Sequence, residues 1–157
     1  MTIEEALQAT LGVTPPAAAP AGHYRPTVRQ RDTVFVSGQL PLMLDGSGSV
    51  QGRLGDALDV ARGAEAAKLA AASVLRQLAA AVPGQPTTEL RVLRMTVYVA
   101  ATPEFTQHAQ VADGASKLMV DVLGEHAVGT RVAVGVASLP RGAAVEVDAL
   151  FAVQSDV

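Results

Sequence analysis

Cysteine is absent from the 157 residues, which removes disulfide frameworks, thiolate catalysis and cysteine-ligated zinc from consideration. Tryptophan is absent as well, and three Phe and two Tyr bring the aromatics to only 3%. So few rings make a poor surface for stacking unpaired bases. Positive charge is not in excess either: 12 Lys and Arg stand against 15 Asp and Glu, a net charge of −3. That balance gives no electrostatic footprint for tracking a phosphate backbone. No stretch reaches the roughly 18 uninterrupted apolar residues of a membrane span. The start, Met1-Thr2-Ile3-Glu4-Glu5-Ala6, has neither a basic n-region nor a long apolar h-region. The expectation is a cytoplasmic protein that touches neither nucleic acid nor membrane.

Apolar residues make up 49% of the chain and charged residues 17%, with a mean hydropathy of +0.28. A chain of this length and composition fills one core. With so few aromatics, that core must be built from Ala, Val and Leu, which suits flat helix-on-sheet layers.

Thr2 before Ile3–Leu11, with Glu4 and Glu5 in the first turn, predicts a short capped helix. Pro15-Pro16-Ala17-Ala18-Ala19-Pro20-Ala21-Gly22 breaks it and reads as an extended connector. The division is therefore a helix and Pro/Ala connector over 1–22 and a single domain over 23–157. Arg29-Gln30-Arg31-Asp32 followed by Thr33-Val34-Phe35-Val36-Ser37 predicts a hairpin. The Ala-rich stretch from Asp56 to about Ala81 carries apolar residues at helical spacing, with Asp56 as cap and Pro83-Gly84 as stop. A strand follows, with Leu93, Met95, Val97 and Val99 alternating against Arg94, Thr96 and Tyr98. Thr102-Pro103-Glu104 opens a second long helix that ends at Gly124. Strands over Thr130–Ala137 and Ala144–Val153 close an α+β two-layer sandwich, a mostly antiparallel sheet with two helices on one face.

The closing strands alternate. Val132, Val134 and Val136 oppose Arg131, Ala133 and Gly135, and Val145, Val147 and Ala149 oppose Glu146 and Asp148. Pairing the two as an antiparallel hairpin, Val136 against Val145 and Val134 against Val147, buries both valine rows under the helices. It sends Arg131, Glu146 and Asp148 together to the uncovered face. Such a face is either a solvated surface with ordinary salt bridges or an interface holding a pocket, and the pattern alone allows both.

The element order and four segments together resemble the RidA/YjgF family, also called L-PSP or enamine/imine deaminases. The segments are His23-Tyr24, Val34 to Pro41 with Ser37-Gly38-Gln39, Arg131 to Pro140, and Val145-Glu146-Val147-Asp148-Ala149. The resemblance covers roughly residues 22–153. It implies a chorismate-mutase-like fold assembled as a homotrimeric barrel, with the uncovered sheet faces meeting and ligand clefts between subunits. It also implies a hydrolase that deaminates 2-enamino or 2-imino acids to 2-oxo acids and ammonia with neither metal nor organic cofactor. Arg131 matches the family's carboxylate-binding arginine and Glu146 the acid beside the attacking water. Tyr24, Ser37, Asp113 and Ala133 fall at pocket positions.

The sequence departs from the better-understood deaminases at two of these positions. Asp113 stands where relatives place asparagine, and Ala133 where many carry cysteine or a hydroxyl. The added charge at Asp113 opposes a carboxylate ligand, so a non-catalytic trimer that binds a small 2-oxo or 2-imino carboxylate is the alternative. A ribonuclease or translation inhibitor is disfavoured by the charge and aromatic counts, and Arg25, Arg29 and Arg31 read as a solvated strand edge rather than an RNA contact. His23, His108 and His126 are scattered without the pairing of a metal site.

Overall fold

A computed structural model of the protein describes residues 1–14 and 17–154. Pro15 and Pro16, part of the expected connector, lie outside the described residues. Eight principal elements follow in order: α1 (Ile3–Leu11), β1 (Thr27–Gln30), β2 (Thr33–Gln39), α2 (Val60–Ala81), β3 (Leu90–Ala100), α3 (His108–Leu123), β4 (Thr130–Val136) and β5 (Val145–Val153). The strands form one mixed sheet in the order β1-β2-β5-β3-β4, an α+β architecture as the sequence pattern required.

Local chemistry explains the ends of the helices. α1 starts in a capping box, with the Glu5 amide donating to the Thr2 hydroxyl and the Thr2 amide donating to Glu5, and it stops at Gly12 in a left-handed conformation. α2 begins three residues later than expected, because Asp59 rather than Asp56 is the cap, its side chain accepting the Arg62 amide at 2.8 Å. α3 likewise begins at His108. Thr102-Pro103-Glu104 closes a turn, with the Phe105 amide donating to the Thr102 carbonyl, and so does not cap the helix.

α2 is the middle of the helix layer. Its residues 69–79 are all buried, including Ala70, Ala71, Val74, Leu75 and Leu78. The sheet lies on one side, while α1 and α3 pack on the others. α1 belongs to this core: Ile3, Ala6 and Leu7 are almost fully buried.

The closing strands differ from the hairpin expected of them. β4 does not pair with β5; it pairs parallel to β3, while β5 runs antiparallel between β2 and β3. The reason is the α3 crossover, since a strand returning after a helix on the same sheet face is placed parallel to the one it left. β5 then fills the centre. Its alternation sends Val145, Val147, Ala149 and Phe151 under the helices and Glu146 and Asp148 to the open face, as expected.

The facing of β4 is the reverse of the expectation. Arg131, Ala133 and Gly135 lie opposite Met95, Val97 and Val99, on the helix side, and Val132 and Val134 stand on the open face at 37% and 38% exposure. At this edge of the sheet the residues over β4 are the polar ones of α3, Asp113 and Ser116, which receive the arginine. The cost of burying an unpaired charge therefore does not arise.

The two long helices cross where Gly114 of α3 meets α2: a Cβ there would overlap the Ala64 carbonyl oxygen. Backbone cannot swing aside as a side chain can. Gly114→Ala is expected to destabilise the fold by about 1–3 kcal/mol through overpacking, read as a lowered denaturation midpoint. An unchanged midpoint would show that the helices can separate freely.

Candidate active site

A cleft of about 540 Å³ opens beside Glu146. β2 contributes Ser37, Gly38 and Gln39; Tyr24 precedes β1; Pro140 and Arg141 come from the turn before β5; and Ala18–Gly22 form the outer wall. Glu146 reaches this cleft across Gly38. A side chain at that position would overlap the Glu146 carboxylate, so the Ser37-Gly38-Gln39 segment is shaped around the acid. Gly38 sits where the β2–β5 register slips, between Val36 and Gln39, an irregularity of the kind that re-aims side chains near sites. Partial burial raises the Glu146 pKa above its usual value, and the negative charge of Asp148 adds to the rise. Asp148 in turn accepts a hydrogen bond from the Tyr98 hydroxyl at 2.9 Å.

Arg131 is elsewhere. On the helix side of β4, its Nη1 donates to Asp113 Oδ1 at 2.8 Å and to Ser116 Oγ at 3.0 Å, and its Nη2 donates to the Ala109 carbonyl at 3.4 Å. One edge of the guanidinium is thus held by α3. Asp113 is largely exposed, 69% for its side chain, so the pair is worth about 0–1 kcal/mol. An incoming carboxylate that bound bidentately could compete with it.

Residues 14–153 match the family model described as Endoribonuclease L-PSP. The chain belongs to this family. Protein TCP17 of Trypanosoma cruzi is 47% identical over 138 residues, covering 87% of this chain and 84% of that one. Among solved structures, Atu1372 of Agrobacterium tumefaciens superposes with a TM-score of 0.86 at 39% identity, covering 97% of this chain and 92% of its own. TdcF of E. coli, solved with bound serine, superposes at 0.61 with 26% identity, covering 89% and 93%. The YjgF and RidA structures share the fold, in agreement with the resemblance seen in the sequence.

Within this L-PSP chain the residues singled out from sequence form two groups. Tyr24, Ser37 and Glu146 line the cleft together. Arg131 and Asp113 touch one another on the far side of the sheet, and Ala133 points inward against the core two residues along β4. The histidines stay apart: His23 precedes β1, His108 stacks edge-on against Phe105 at 5.2 Å, and His126 contacts the Thr87 carbonyl. Three cleft residues went unnoticed in the sequence. Gly38 stood inside the quoted motif with no role, and Gln77, within the Ala-rich helix, and Arg141, between the closing strands, were given none.

Glu146 provides a direct test of the cleft's electrostatics. The folded protein binds its proton more tightly than the unfolded chain does. Stability from this group is therefore full below the ordinary glutamate value and lost as the pH rises through the higher folded value. Carboxyl NMR is expected to show Glu146 titrating above the usual glutamate range, and Asp148→Asn is expected to bring it down. A Glu146 titrating at or below the usual value would contradict the geometry.

Proposed function

We propose that the protein hydrolyses reactive 2-enamino and 2-imino acids to 2-oxo acids and ammonia, in clefts built by two subunits of a homotrimer. The carrying observation is the separation of Arg131 and Glu146. They stand on opposite faces of one sheet, so a ligand can touch both only if a second copy supplies one of them. The open face supports such an assembly: Val28 and Phe35 on one side and Val132 and Val134 on the other are 37–49% exposed, flanking the Glu146 and Asp148 rows. A patch of this kind calls for a partner, and a threefold ring of one chain is a closed solution.

The chemistry needs little more than positioning. A guanidinium grips the carboxylate of an imino acid in a fixed plane, as lysine cannot. Glu146 takes a proton from water as the oxygen bonds to the imine carbon. It gives that proton to the nitrogen to form a carbinolamine, and as the carbon–nitrogen bond breaks it carries the carbinolamine hydroxyl proton to the nitrogen, releasing ammonia and leaving the 2-oxo acid. Its raised pKa suits a group that must both accept and donate. Holding the water and imine together supplies the rest of the acceleration. The serine bound to TdcF supports a small amino-acid-like ligand. No metal or organic cofactor enters this scheme.

One observation favours the alternative, a trimer that binds a small carboxylate without turning it over. Asp113 already occupies Arg131 and weakens the positive field that an anionic substrate needs. A ribonuclease role, which the family's description suggests, is not supported by a net charge of −3.

The test generates 2-aminoacrylate or another 2-imino acid in situ with an auxiliary enzyme and follows its decay. The wild type is expected to accelerate it, and Arg131→Ala and Glu146→Gln each to reduce the acceleration by at least about 100-fold. If the wild type binds a 2-oxo acid but leaves the decay rate unchanged, the binding trimer replaces the deaminase.

A further inference from the structure

The cleft beside Glu146 is walled on its outer side by Ala18, Ala19, Pro20 and Ala21, and on its inner side by residues including Leu40 and Leu42 of the loop after β2. The outer wall is held in place. Gln77 of α2, only 4% exposed, donates to the Ala18 carbonyl at 2.7 Å and also approaches Gln39 Oε1 at 3.5 Å. A buried amide that spends its donor on a loop carbonyl fixes that loop, because losing the bond would leave a polar group unsatisfied. At its other end the wall closes in a tight local turn, the Tyr24 amide donating to the Gly22 carbonyl at 3.0 Å. α1 anchors the start of this segment by burying Ile3 and Leu7.

The contents of the wall matter as much as its anchoring. It presents small apolar groups and backbone, and it contributes no charge to a cleft whose charged side chains are Glu146 and Arg141. The volume, about 540 Å³, exceeds what the smallest imino acids fill. We propose that the segment Ala18–Gly22 forms an apolar subsite that selects 2-imino and 2-oxo acids with a branched aliphatic side chain over those with a methyl group. This rests on the reading of the cleft as the ligand site given above and adds to it the class of side chain accepted. The segment makes selectivity a property of the N-terminal extension, which the catalytic residues do not include.

The experiment measures binding of pyruvate and of 4-methyl-2-oxopentanoate to the full-length protein by calorimetry, together with turnover of the matching imines generated in situ. Each buried methylene is worth about three- to fourfold in affinity, so the longer acid is expected to bind at least about tenfold more tightly. Ala21→Trp fills the subsite and is expected to abolish that preference by weakening 4-methyl-2-oxopentanoate more than pyruvate. Gln77→Leu, which releases the wall, is expected to reduce the preference as well, and melting curves verify that both variants fold. Equal affinity for the two acids, a preference that survives Ala21→Trp, or no binding of either acid overturns the subsite. Turnover of the imines without a chain-length preference would leave the deaminase standing and remove the subsite. A clear preference in binding without turnover would do the reverse.

Discussion

β5 is the strand on which the rest of the molecule depends. Lying between β2 and β3, it is hydrogen-bonded on both edges and alternates along its whole length between the helix layer and the open face. Val145, Val147, Ala149 and Phe151, all essentially inaccessible, fix that alternation, because a shift by one residue would drive Glu146 and Asp148 under the Ala-rich helices at a cost of several kcal/mol. Packing of the core therefore dictates where the two carboxylates stand. Gly38 on the neighbouring strand completes the arrangement by leaving room for the Glu146 side chain.

The same sheet keeps acid and arginine apart. β4 is delivered to the far edge by the α3 crossover, with Arg131 on the side of α3 and the valines turned out. Each chain thus keeps the two groups apart, Glu146 in the cleft beside Tyr24 and Ser37 and Arg131 against Asp113 and Ser116. Exposed valines on the open face of β4 and an exposed Phe35 toward the opposite edge leave apolar surface on this sheet, which the proposed assembly covers. In the proposed assembly, covering it and completing the site are one event.

Much of this was legible in the sequence, and the illegible part has a physical pattern. Signals carried by neighbours in the chain read well: the Thr2 capping box, the hairpin around Arg31-Asp32, the long Ala-rich helix, and the alternation of β3 and β5. The Ser37-Gly38-Gln39 segment and the Glu146 strand marked the family correctly. What failed was pairing between distant elements. Two valine-rich strands joined by a short turn looked like a hairpin, and nothing local distinguishes that from an edge strand parallel to β3. With the pairing went the facing of Arg131, since period two offers two choices and the polar partners on α3 decide between them. The charge of Asp113 was read only as opposing a carboxylate ligand, and its pairing with Arg131 was not foreseen, because the two stand on different elements, α3 and β4. Gln77 was unreadable, because an amide inside an Ala-rich helix shows its purpose only when Ala18, far away in the sequence, is placed against it.

The central claim is that a working site takes Arg131 from one subunit and Glu146 from another, and mixing tests it most directly. Arg131→Ala and Glu146→Gln proteins, each inactive toward an imino acid alone, are unfolded together, refolded and assayed. Random assembly of a threefold ring would restore about a quarter of the sites, so activity is predicted to reappear in the mixture at about that fraction of the wild type. A refolded mixture of intact oligomers as inactive as its two parents would contradict the shared site.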